Sequence, residues 1–63
     1  MTLVRLEHCR RLGYCARGMR EFLRRHGLDW EQFRREGLPA AQIEATGDAM
    51  AIAAARLARE ETT

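Results

Sequence analysis

The chain has 63 residues, with eleven basic residues that are all Arg, nine acidic side chains, a net charge of +2 and 46% hydrophobic residues. Such a length makes one domain, residues 1–63, whose core is only marginally sufficient, so self-association as a homodimer or docking on a larger partner is expected. A membrane span is excluded because no apolar run approaches the roughly 18 residues it needs. The start MTLVRLEH has no secretory-signal pattern, and two cysteines imply no disulfide framework, so a soluble cytoplasmic protein is expected.

The first segment, 3–12, places Leu3, Leu6, Cys9 and Leu12 at steps of three on one side of a predicted helix, ended by Gly13. The second helix runs from about Cys15 to His26, with Met19, Phe22, Leu23 and His26 as its apolar stripe and Arg17, Arg20 and Arg24 on another face. Asp29 with Gln32 three residues on reads as a capping box that opens a two-turn helix, Trp30 to Glu36. Pro39 suits the first position of a fourth helix ending near Glu44, because its fixed φ is helical and its missing N–H would have no helical partner there. Thr46, Gly47 and Asp48 break the chain before an Ala-rich helix from about Asp48 to Glu60. In that last helix Met50, Ala53, Ala54 and Leu57 define one side and Ile52 lies nearly opposite, so both sides are expected to be used inside the domain, with Met50 and Ile52 covered. The fold class is therefore all-α, a compact bundle of four to five short helices.

Three near-identical hexamers, CRRLGY at 9–14, LRRHGL at 23–28 and FRREGL at 33–38, punctuate this layout. A glycine just past a helix end takes the left-handed conformation, and the apolar residue after it packs back one turn. That rule pairs Cys9 with Tyr14, Leu23 with Leu28 and Phe33 with Leu38. The Arg pairs then occupy the last helical turn, where the negative end of the helix dipole favours cations. The hexamer is thus a helix stop; an anion site would sit at a helix N-terminus instead.

Catalytic chemistry is poorly provided for. The chain has no Ser, its threonines are at 2, 46, 62 and 63, and its cysteines fall at apolar positions, so no nucleophile–base–orienter set is apparent. His8, Cys9, Cys15 and His26 have no zinc-site spacing, and His26 reads as a packed or capping side chain. Tyr14, Trp30 and Phe33 read as core rather than as base-stacking groups. No enzyme, metal or cofactor is expected.

Charge patterning points instead to a partner. Residues 1–28 carry seven Arg against Glu7 and Glu21, a net +5, whereas residues 29–63 carry four Arg against seven acids, a net −3. This polarity either steers an acidic partner to the first half or draws the two halves together. The expected partner-binding residues are Arg17, Arg20 and Arg24, helped by Arg10 and Arg11; the alternative is a solvated helix face with an internal Glu21–Arg25 pair.

The strings LGYCARGMREF, RHGLDWEQF and EATGDAMA, within residues 12–51, resemble a family of short proteins encoded by temperate phages and prophages of GC-rich bacteria. The resemblance brings no catalytic residue with it. It implies a phage accessory protein, in the host cytoplasm, that occupies a surface on a host protein or nucleoprotein complex as anti-CRISPR proteins do. A small helix-turn-helix-like DNA-binding regulator, with nucleic acid as its partner, is the alternative, and a phage assembly component is a third reading.

Overall fold

The first helix begins three residues later than its apolar spacing suggests, at Leu6, because the residues before it are claimed by a strand pairing. In the computed structural model, which describes residues 2–62, β1 (Leu3–Val4) is followed by α1 (Leu6–Arg11), α2 (Ala16–Arg25), α3 (Trp30–Arg35), β2 (Leu38–Pro39), α4 (Ala40–Glu44) and α5 (Ala49–Thr62). The all-α expectation is therefore corrected: the domain is mostly helical but has a two-residue antiparallel ladder, Leu3 opposite Pro39 and Val4 opposite Leu38. The Ala40 N–H donates to the Thr2 carbonyl and extends the contact by one residue. Pro39 sits on an edge where it owes no N–H, so it caps α4 from an extended conformation and Ala40 takes the first helical place.

The hexamers do act as stops. Gly13, Gly27 and Gly37 have φ of +82°, +71° and +94°. After α1 and α2 the chain makes the full pair of reversed bonds: Tyr14 N–H to Cys9 O and Gly13 N–H to Arg10 O, then Leu28 N–H to Leu23 O and Gly27 N–H to Arg24 O. The third copy differs. Gly37 N–H reaches Phe33 O while Leu38 leaves to pair with Val4. A Cβ at position 37 would stand 2.8 Å from the Val4 carbonyl oxygen, so this glycine also makes room for β1.

Helix starts are served locally. The Arg5 N–H donates to His8 Nδ1 at 2.9 Å, half of a capping box with His in the acceptor's place. The Asp29 carboxylate accepts from Glu31 N–H at 3.0 Å, but the reciprocal bond from Gln32 does not form among the described residues. Asp48 accepts from Ala51 N–H at 3.0 Å and opens α5.

Phe33, Leu23, Val4 and Cys9 are the largest fully buried side chains. Across from them α5 presents Ala51, Ala54, Ala55 and Ala58, all at most 4% exposed, and packs on α4, β1 and α1. The core face of α5 is thus turned by one residue, about 100°, from the expected Met50, Ala53, Ala54 and Leu57. Alanines let the helix backbone come close, and the larger residues are displaced to the flanks. Met50 is 53% exposed, contrary to expectation, while Ile52 and Leu57 are partly covered. Leu12, expected on the apolar side of α1, is 38% exposed. Among the described residues no helix is long and apolar enough to cross a membrane.

Candidate partner-binding face

Helix α2 carries the arginines expected to bind a partner, and the structure separates them by what surrounds them. Arg17 and Arg24 are exposed and, like Arg10 on α1, have no carboxylate partner among the described residues. Arg20 is exposed too, but its guanidinium lies over the Trp30 ring, 5.4 Å from the centroid, and helps fix α2 against α3. Arg11 is committed elsewhere: it pairs with Glu61 of α5 and lies 3.9 Å from Glu7. The expected Glu21–Arg25 pair does not form among the described residues, which leaves Arg25 unpaired as well.

The contact between α1 and α5 centres on His8, which is 5% exposed. Its Nδ1 is occupied by the Arg5 N–H, so the neutral ring carries its proton on Nε2 and donates to Glu61 at 3.3 Å. Burial holds this imidazole below its ordinary value; Arg11 and Arg5 act in the same direction and Glu7 opposes. A neutral His8 bridging to a carboxylate that is also held by Arg11 is a structural tie, where the charge-rich first half meets the acidic C-terminal segment.

A concavity of about 430 Å³ opens between α2 and the start of α5. Met19 and Phe22 line it from α2, Tyr14 from the preceding loop, and Met50, Ala51 and Ala54 from α5. Two walls are bare for the same reason: Gly18 on α2 and the alanines on α5 offer almost no side chain to fill the gap. The Tyr14 hydroxyl donates to the Met50 carbonyl at 3.3 Å and ties the two sides together. Its polar lining includes Arg25 and Asp48, the latter already engaged in capping α5.

The concavity and the arginine stripe do not share a face. Gly18, Phe22 and Arg25 follow one line along α2, and Arg17, Arg20 and Arg24 follow another about 130° around the helix. Sequence reasoning missed Gly18 and Met50 as surface features and placed Arg25 on a solvated face only as the partner of Glu21. A readable signal existed in Gly18, a glycine inside a helix and outside any stop motif, at a cost of about 1 kcal/mol relative to alanine.

The remaining reactive groups are muted. Cys9 is fully buried and its thiol is pushed up to about 11 by burial. Cys15 is exposed, correcting its assignment to an apolar position, and its Sγ accepts from Gly18 N–H at 3.3 Å as the cap of α2. His26 ends α2 with its ring 4.6 Å from Phe22. Phe33 is fully buried and Trp30 and Tyr14 pack against the core, as expected of structural aromatics. Thr63, weighed among the nucleophiles, lies outside the described residues. No group of three or more His, Cys, Asp or Glu able to hold a metal is found among the described residues. No family model, curated protein sequence or solved structure matches this chain.

Proposed function

We propose that the chain is a small non-enzymatic binding protein whose arginine-rich first half docks on an acidic macromolecular partner. The phage-type strings suggest the setting, an accessory protein that covers a surface on a host defence complex in the anti-CRISPR manner. One observation carries the reading: Arg10, Arg17, Arg24 and Arg25 stay exposed without a carboxylate among the described residues, although the sequence holds nine acids. Several of the described acids serve other ends, with Glu31 on Arg34, Glu44 on Arg59, and Glu61 on Arg11 and His8. The positive excess of residues 1–28 is therefore left for something outside the fold. A buried thiol held near 11 and the absence of Ser favour binding over chemistry.

The helix-turn-helix alternative has one feature in its favour, the four-residue turn 26–29 with Gly27 between α2 and α3. Against it, a recognition helix meets DNA through its N-terminal residues, and α3 opens on Asp29 and Glu31 and has six residues. The test is fluorescence anisotropy against labelled polyglutamate and a labelled DNA duplex across a salt series. Polyglutamate binding that weakens with salt and is lost in a triple Arg17→Glu, Arg20→Glu, Arg24→Glu variant of native circular dichroism is the expected result. Nanomolar, sequence-selective duplex binding at physiological salt would instead make the protein a DNA regulator; non-selective binding would show a log–log salt slope of about 0.9 per phosphate contacted.

A further inference from the structure

We infer that Arg20, held over Trp30, is the anchor of the arginine face and takes a carboxylate side chain of the acidic partner through the edge of its guanidinium. The inference rests on the proposed acidic partner and adds which arginine carries the contact and why. Arg17, Arg20 and Arg24 follow one line along α2 and all are exposed, with Arg20 between the other two. Among the described residues only Arg20 of the three has its guanidinium held, 5.4 Å from the centroid of the Trp30 ring. Trp30 is itself fixed: it opens α3, packs against the core and lies 6.0 Å from the Phe33 ring. A mobile exposed arginine gives up rotamer freedom when it grips an anion, and that loss cancels much of the gain. Arg20 has given up that freedom in folding. Stacking occupies a face of the guanidinium and leaves the N–H donors at its edge, none of which reaches a protein acceptor among the described residues. That edge is the fork that matches a carboxylate with two parallel bonds. Arg and Trp are also enriched where truncation weakens an interface most.

Local charge favours a carboxylate over a phosphate chain. Glu21 follows Arg20 and Asp29 precedes Trp30; both are exposed, and neither has a cation partner among the described residues. A nucleic-acid strand carries a charge on every nucleotide, so one laid along Arg20 and Trp30 would bring phosphates towards these two acids. A protein surface can offer a single Glu or Asp to Arg20 with neutral residues beside it.

The probe is a labelled peptide that alternates Glu with Gly, compared with a labelled single-stranded DNA oligonucleotide of equal charge. Binding is read by anisotropy and by the emission of Trp30, the one Trp in the chain. Arg20→Ala should weaken peptide binding about tenfold, against about twofold for Arg17→Ala or Arg24→Ala, the effect of a mobile exposed ion pair. Arg20→Lys keeps the charge over the ring but loses the planar fork, so it should weaken binding nearly as much as Arg20→Ala. In a Trp30→Leu background of native circular dichroism, Arg20→Ala should cost no more than Arg17→Ala, the coupling a double-mutant cycle measures. If that background does not fold, the emission decides in the natural chain: it should change as the peptide saturates, with the midpoint seen by anisotropy, and stay constant in Arg20→Ala. Equal losses from the three Arg→Ala variants, full binding by Arg20→Lys, or an emission untouched at saturation overturns the inference and leaves the acidic-partner reading in place. Absence of peptide binding to the natural chain removes that reading and the inference with it. Tighter binding of the oligonucleotide than of the peptide overturns the inference and assigns the face to nucleic acid.

Discussion

Helices α2 and α5 invert what their sequences suggest about packing. α2 has a periodic stripe of large apolar residues, yet of these only Leu23 is fully buried, and Met19 and Phe22 face a gap. α5 is wrapped in alanine with little contrast between faces, yet four of its alanines are at most 4% exposed and it forms the centre of the domain. Periodicity tells which side of a helix is apolar; the size of the residues on that side decides how near a neighbour can come. Where a facing surface is alanine the backbones can come close, as α5 does on α4; where large residues on one side face a bare wall without filling it, a cavity is left.

The strongest test of this contrast compares neighbours on α2. Leu23→Ala should cost about 2–5 kcal/mol as a fully buried truncation. Phe22→Ala should cost about 1 kcal/mol, because a half-covered ring returns only part of its transfer energy. Urea midpoints read both, and equal losses would mean that the concavity is closed in solution.

On α5 the direction of substitution reverses. Ala55→Leu should cost about 1–3 kcal/mol by overpacking a face with no room. Ala53→Leu and Met50→Asp, on sides turned from the core, should change stability by no more than about 0.5 kcal/mol. If Ala55→Leu is neutral, α5 does not lie as close as described.

The helix stops at the ends of α2 and α3 sharpen the comparison further. Gly27→Ala should cost about 1 kcal/mol for its left-handed backbone, since a Cβ there meets nothing within 4 Å. Gly37→Ala should cost more, because its Cβ would also press on the Val4 carbonyl. Thermal melts that rank the two the other way would show that β1 does not pair as described.

The smallest effect is a pH dependence at the α1–α5 tie. The folded value of His8 is depressed below the ordinary 6.5, so its contribution is fully present above about pH 6.5 and is lost as pH falls through the lower, folded value. Denaturation midpoints of the natural chain and of His8→Gln should therefore converge on acidification through that window. A gap that widens instead would show that the Glu61 contact outweighs burial.

Much of this architecture was legible before any coordinates. The glycine stops, the Asp29 and Asp48 caps and the order of the five helices depend on neighbours within one or two turns, and short-range chemistry is written in short strings. The Arg17, Arg20 and Arg24 stripe was legible as an exposed face for the same reason. The ladder of Leu3–Val4 with Leu38–Pro39 was not, because a two-residue strand has no period to detect and its partner lies far along the chain. Nor was the concavity, which arises from what Gly18, Ala51 and Ala54 lack.

The sequence by itself determined where α1, α2 and α3 stop, the order of the five helices and that positive charge gathers in the first 28 residues. Tertiary structure alone decided which face of α5 is core, that Met50 is left in solvent, that Arg11 is taken by Glu61 while Arg25 is not, and that α2 stands off from α5. Local stops are set by backbone conformation and hydrogen bonds that each segment carries with it. Packing is set by side-chain volumes meeting across the fold, and those sums exist only once distant segments are brought together.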